Sequence, residues 1–109
     1  MFVSVRNIDV STFQRMQGDG EVRLVDVRTD VEVAQGMIGG ALHIPLHVLP
    51  LKADELSDGV PTVFYCRTGA RSAQACAFVA SRAPGADVYN LEGGIFGWVR
   101  AGMPLAAPA

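Results

Sequence analysis

The sequence contains little cysteine, histidine or net charge. Two cysteines and two histidines occur in 109 residues, at no spacing that builds a zinc site, so we expect neither a metal nor an organic cofactor. The formal net charge of −2 gives no general attraction to nucleic acid or to an anionic membrane. No apolar run is long enough to span a bilayer, and the opening MFVSVRNIDV lacks the continuous apolar core of a signal peptide. We therefore expect a cytoplasmic protein.

The composition is that of a folded domain. Half of the residues are hydrophobic and 18% are charged, which is enough apolar material for a core and too little charge for a disordered chain. A length of 109 residues is close to the commonest domain size. We predict one domain over residues 1–109, with a loosely held tail over residues 104–109.

Strand and helix signals alternate along the chain. The pattern predicts strands over residues 2–5, 22–27, 41–44, 62–65 and 88–91. It predicts helices over residues 9–17, 29–34, 71–82 and 94–101, with short helical turns within 48–58. Such alternation predicts an α/β fold with a central, mainly parallel sheet and helices on both faces. Ligands bind such sheets at the carboxyl ends of the strands.

One cysteine lies where a nucleophile would be useful. In the stretch YCRTGARSA, Cys66 follows a predicted strand and precedes a predicted helix. Three features should lower the pKa of its thiol: the amides of the helix N-terminus, the charges of Arg67 and Arg71, and a turn at Gly69 that can point several N–H groups inward. A buried, inert cysteine is the alternative, but the arginines and glycine favour a reactive thiolate beside an anion.

The loop length distinguishes phosphorus from sulfur as the target. Phosphate-transferring cysteine loops have the spacing Cys-x5-Arg, in which the arginine closes a ring around a tetrahedral phosphate. Here Arg71 gives Cys-x4-Arg, and position 72 is serine. A loop that is one residue shorter suits a smaller object, such as one sulfur atom carried on the cysteine.

Three segments in order resemble the single-domain rhodaneses, a family of sulfurtransferases. They are LVDVRTDVEVAQGMIGGALHIPL (24–46), YCRTGARSA (65–73) and LEGGIFGWVRAGMPL (91–105). The resemblance implies that Cys66 carries a persulfide, and that the loop holds this sulfur and the incoming anion. The implied substrate-binding residues are Arg67, Thr68, Gly69, Ala70 and Arg71. Met37, Gly39 and Val33 depart from the usual family residues, but they lie outside the loop.

Two further features bear on the site. Asp26 and Arg28 are either a surface ion pair of little value or, as the resemblance suggests, a pair that orients the active loop. Cys76 could resolve a persulfide on Cys66. However, it lies about 7 Å beyond Arg71 along a helix, so we expect it to pack against the sheet instead.

The expected function is that of a thiosulfate sulfurtransferase. Cys66 would take a sulfur atom from thiosulfate and pass it to cyanide or to a thiol acceptor. A sulfur-relay module that exchanges sulfur with a carrier protein stays open, since its loop would look the same. A phosphatase or arsenate reductase is a third reading, and the short loop argues against it.

Overall fold

The computed structural model describes residues 4–108, which form a five-stranded parallel sheet. The strand order is β1-β5-β4-β2-β3, and every pairing is parallel. The strands are β1 (Asn7–Ile8), β2 (Arg23–Asp26), β3 (Leu42–His43), β4 (Thr62–Tyr65) and β5 (Val88–Leu91). The predicted α/β class with a parallel central sheet is confirmed.

Residues 4–108 contain five helices, of which four connect successive strands and the last follows β5. They are α1 (Val10–Asp19), α2 (Asp30–Ala34), α3 (Leu49–Lys52), α4 (Ala70–Arg82) and α5 (Gly94–Arg100), and a 3₁₀ turn over Ala53–Leu56 extends α3. Polar side chains begin the first two helices. The Asp9 carboxylate accepts from the Thr12 amide at 2.8 Å. Thr29 forms a capping box with Glu32, in which each side chain accepts from the other residue's amide.

Helices cover both faces of the sheet. On one face, α3 and α4 contribute Leu49, Cys76 and Val79 to a core that includes Phe64. On the other face, α1 and α5 contribute Phe13, Ile95 and Trp98 to a core that includes Tyr65. Alternate residues of β4 thus enter opposite cores, as the two-residue period of a strand requires. All four residues of this central strand are buried, which fixes the position of the residue that follows it, Cys66.

The first strand lies later than the sequence predicts. Residues 1–3 are outside the described part of the chain, and residues 4–5 precede β1. The main chain of β5 sets the register, because the amides of Asn90 and Glu92 donate to the carbonyls of Arg6 and Ile8, both at 2.8 Å. The apolar residues before Arg6 predict an earlier strand. The local pattern does not show which strand lies alongside, so it cannot give the residues that pair.

The segment after α5 is held in place as far as Ala106. The Trp98 indole donates to the Pro104 carbonyl at 2.7 Å. Ala106 and Met37 exchange two main-chain hydrogen bonds of 2.7 and 2.9 Å. The expectation of a loose tail is therefore wrong for residues 104–106. In the described residues, every helix is too short or too polar to cross a membrane.

Candidate active site

The loop between β4 and α4 surrounds the sulfur of Cys66 with hydrogen-bond donors. The Gly69 amide lies 3.1 Å from Cys66 Sγ, and the Ser72 hydroxyl lies 3.3 Å from it. Gly69 precedes α4 with a φ of 117°, a left-handed conformation that favours glycine. This turn lets the chain fold back over the cysteine before the helix begins. The predicted position of Cys66, at a strand end facing a helix N-terminus, is confirmed.

Hydrogen bonds make the Cys66 thiol more acidic despite its burial. Burial raises its pKa. The Ser72 hydroxyl and the amides of Ser72, Gly69 and Thr68 outweigh that effect, so the pKa of Cys66 lies below its ordinary value of 9.0. The predicted direction agrees with the structure. The main physical cause is hydrogen bonding at the helix N-terminus rather than the charges of the two arginines.

Arg71 is held by a carboxylate from another element. Its guanidinium donates to the two oxygens of Glu32 at 2.6 and 2.8 Å. This contact lowers the pKa of Glu32 to about 2 and joins α2 to the start of α4. The expected role of Arg71 in binding an anion stays a prediction, and its charge is already balanced by Glu32. The guanidinium of Arg67 lies instead over the ring of Phe96, 5.0 Å from the ring centroid.

Asp26 and Arg28 form a buried pair at the end of β2. Their side chains are 0% and 6% exposed, and the shortest nitrogen–oxygen distance is 2.8 Å. The reading of this pair as a surface contact is wrong. Arg28 also donates to the Gly36 carbonyl at 2.7 Å, and Asp26 lies beside Tyr65 in the sheet. The pair therefore fastens the Gly36 segment to the end of β2, which lies beside the strand that precedes Cys66. Its predicted effect on the loop stays a hypothesis.

Two groups that hold the loop were absent from the sequence prediction. One is Ser72, whose only local signal is its place in the first turn of α4, facing back toward the cysteine. The other is the start of α5, where the amides of Ile95 and Phe96 donate to the carbonyls of Cys66 and Arg67 at 2.9 and 3.2 Å. Gly94 lies against the same loop backbone. No local sequence pattern predicts this contact, because it joins residues that are distant in the chain.

Cys76 lies in the core between α4 and the sheet, as predicted. It is buried, and burial raises the pKa of its thiol to about 12. We expect Cys76→Ala to keep kcat/KM within about twofold of the unaltered protein and to lose about 1 kcal/mol of stability through a small cavity. Thiosulfate–cyanide turnover and urea unfolding would measure the two effects. A loss of activity comparable to that of a Cys66 variant would make Cys76 a participant.

The Glu32–Arg71 contact should make stability depend on pH. The folded-state pKa of Glu32, about 2, lies below its ordinary value of 4.5. Its stabilisation is therefore present above pH 4.5 and is lost as the pH falls toward 2. We expect Glu32→Gln, which can still serve in the capping box, to unfold about 0.5–1 kcal/mol more easily at neutral pH.

Urea unfolding of both proteins at pH 7 and pH 3 tests this expectation. The difference between the two proteins should shrink at pH 3, because Glu32 of the unfolded chain, with its ordinary pKa of 4.5, is then protonated, whereas Glu32 of the folded protein is still mostly ionised. Other carboxylates titrate alike in both proteins and cancel in the difference. A difference of the same size at both pH values would contradict the assignment of the ion pair as its source.

The arrangement is a cysteine loop at the N-terminus of a helix on a parallel α/β sheet. Within residues 4–108, no group of three or more histidine, cysteine or acidic side chains is placed to hold a metal ion. Residues 9–101 match the family described as rhodanese-like domain. The chain belongs to that family, and the resemblance found in the three sequence segments is confirmed.

Two relatives and one solved structure match this chain over most of their own length. A protein of Allochromatium vinosum named "Sulfurtransferase" is 46% identical over 105 residues, which are 95% of this chain and 97% of the relative. A "Putative sulfurtransferase YtwF" of Bacillus subtilis is 39% identical over 78% of this chain and 81% of its own. The crystal structure of a rhodanese-related protein from Thermoplasma volcanium has a TM-score of 0.82 at 27% identity, covering 94% of this chain and 99% of that one.

Proposed function

We propose that the protein is a thiosulfate sulfurtransferase that works through a persulfide on Cys66. The observation that carries the proposal is the donation of the Gly69 amide and the Ser72 hydroxyl to Cys66 Sγ at the N-terminus of a 13-residue helix. These donors stabilise the thiolate, which is the nucleophilic form of cysteine. The membership of the family and the names of the two relatives support sulfur transfer as the reaction type.

The reaction has two displacement steps. In the first, the Cys66 thiolate attacks the outer sulfur of thiosulfate, the sulfur–sulfur bond of thiosulfate breaks, and sulfite leaves with the bonding electron pair. The product is a negatively charged Cys66 persulfide. In the second, cyanide or a thiolate attacks the outer persulfide sulfur and restores the Cys66 thiolate. Two steps that share a covalent intermediate give ping-pong kinetics.

The loop supplies binding and charge for both steps. We assign the amides of Thr68, Gly69 and Ala70 to the persulfide, because the turn at Gly69 directs the chain around the sulfur. Arg67 is assigned to the incoming anion, because its side chain is exposed. Arg71 keeps the loop attached to Glu32.

Intact-protein mass spectrometry tests the proposal. After incubation with thiosulfate, the mass should rise by one sulfur atom, and cyanide should remove that atom as thiocyanate in an equal amount. A reductant should also remove it. Protein that gains no sulfur under conditions in which its fold is intact would refute the assignment.

Two other functions give different results. A sulfur-relay module would load slowly from thiosulfate and quickly from a persulfidated carrier protein, so loading rates from the two donors separate the readings. A phosphatase would hydrolyse aryl phosphates. The Cys-x4-Arg spacing supports the expectation that this activity is absent or poor, and robust hydrolysis would overturn the argument from loop length.

A further inference from the structure

A cavity of about 350 Å³ adjoins the cysteine loop on the side of Arg67. Its wall includes Ile95 and Phe96, the two residues whose amides hold the carbonyls of Cys66 and Arg67. The cavity therefore borders the loop that carries Cys66, although Cys66 itself is not part of its wall. Its volume falls at the small end of the range for organic ligands, and it exceeds the needs of thiosulfate or cyanide.

One arginine in the cavity wall is available to bind a ligand. Arg28 and Glu32 both contribute to the wall, but Arg28 is paired with Asp26, and Glu32 is paired with Arg71. In the described part of the chain, Arg67 has no carboxylate within ion-pair distance. The mouth of the cavity thus carries one uncompensated positive charge, held toward the wall by its contact with Phe96.

The rest of the wall is apolar and partly open to solvent. Phe96, Val99 and Leu105 are 50%, 47% and 46% exposed, and all three line the cavity. Main-chain contacts on both sides of Leu105 hold it in place. The Pro104 carbonyl before it accepts from Trp98, and Ala106 after it pairs with Met37. The three side chains therefore form a fixed apolar wall beside Arg67.

We propose that this cavity binds the organic part of the sulfur acceptor, and that the acceptor is a small thiol with an apolar body and a carboxylate. Arg67 pairs with the carboxylate, and Phe96, Val99 and Leu105 pack against the apolar body. The proposal rests on the proposed function. In the transfer step, the acceptor thiolate attacks the outer sulfur of the Cys66 persulfide, a new sulfur–sulfur bond forms, and the old one breaks. Cys66 leaves as a thiolate, and the acceptor becomes an organic persulfide. The total charge of the two partners is the same before and after the step.

The test measures how quickly loaded protein discharges to matched thiols. Protein loaded with sulfur from thiosulfate is mixed with 6-mercaptohexanoate, with 6-mercaptohexanol or with 3-mercaptopropionate, at equal thiolate concentrations. The first has both the carboxylate and a long apolar body, whereas the others each lack one of these. We expect a second-order rate constant for 6-mercaptohexanoate about tenfold above that of either other thiol, as one charge-assisted contact and a few buried methylene groups allow.

Substitutions connect the preference to the cavity. Arg67→Gln should reduce the ratio of the rate constants for 6-mercaptohexanoate and 6-mercaptohexanol to about one, and Arg67→Lys should restore part of this ratio. Phe96→Ala and Val99→Ala should each reduce the preference for the long body over the short one by about threefold. Leu51→Ala, which alters an exposed leucine of α3, is the matched control and should leave both ratios unchanged. Loading is verified by mass for each variant before mixing.

The outcomes separate this inference from the proposed function. Unaltered protein that takes no sulfur from thiosulfate overturns the proposed function and the acceptor site with it. Protein that loads and discharges to cyanide, but shows equal rates with the three thiols, overturns the acceptor site alone. If the preferences survive in Arg67→Gln and Phe96→Ala, the acceptor binds elsewhere, and this result also overturns the acceptor site.

Discussion

Substitution of serine for Cys66 should abolish the uptake of sulfur from thiosulfate and lower turnover at least about a thousandfold, the scale seen when a covalent nucleophile is removed. A serine hydroxyl stays protonated near neutral pH and forms no persulfide. The replacement is nearly isosteric at a position that is 1% exposed. Its oxygen can still accept hydrogen bonds from the Gly69 amide and the Ser72 hydroxyl, the donors that Cys66 Sγ now has. The loop and the fold should therefore persist.

Mass spectrometry and the thiosulfate–cyanide assay measure this effect, and urea unfolding checks the fold. Cys76→Ala is the control, because its thiol is buried away from the loop donors and should leave sulfur uptake intact. If Cys66→Ser gained one sulfur atom and still formed thiocyanate, the persulfide would have to lie on another residue. The proposed mechanism would then be wrong even though the family membership stands.

Local patterns predicted the features that depend on neighbours in the sequence. The order of strands and helices follows from apolar periodicity. The place of Cys66 follows from a buried strand that ends in a short Gly-containing loop. Each of these signals is contained within a few residues, so one sequence is sufficient to read it.

Contacts between distant residues escaped prediction for the same physical reason. Arg71 was expected to face an anion, but Glu32 is its partner and lies 39 positions away. The main-chain pairing of Met37 with Ala106 joins residues that only the finished fold brings together. Amphipathic periodicity carries no information on such pairs, because it shows which face of an element is buried but not which residues that face contacts. The sequence resemblance implied that both Arg67 and Arg71 bind the anion, and only the structure shows that the charge of Arg71 is paired with Glu32.

The backbone contact at Gly94 should make this position intolerant of any side chain. Gly94 has a φ of 54°, which side chains rarely adopt, and an added Cβ would clash with the Cys66 carbonyl and lie 2.7 Å from the Arg67 carbonyl. Backbone atoms cannot turn aside as a flexible side chain can. In Gly94→Ala, α5 and the loop must separate, and the amides of Ile95 and Phe96 would lose their partners. A displacement of about 1 Å at a reacting group costs about a hundredfold in rate.

We therefore expect kcat/KM for thiosulfate to fall about a hundredfold in Gly94→Ala, with a loss of about 1–3 kcal/mol in the free energy of unfolding. Gly18→Ala is the matched control, because an added Cβ there meets nothing within 4 Å in the exposed end of α1. The control should be stabilised by about 0.5–1 kcal/mol, as alanine is favoured over glycine in a helix, and should keep full activity.

The alkylation rate of Cys66 against pH gives an independent measurement. A displaced loop should donate fewer hydrogen bonds to the sulfur, so the pKa of the Cys66 thiol should rise in Gly94→Ala. Normal kinetics and an unchanged thiol titration in that variant would show that the start of α5 does not position the loop.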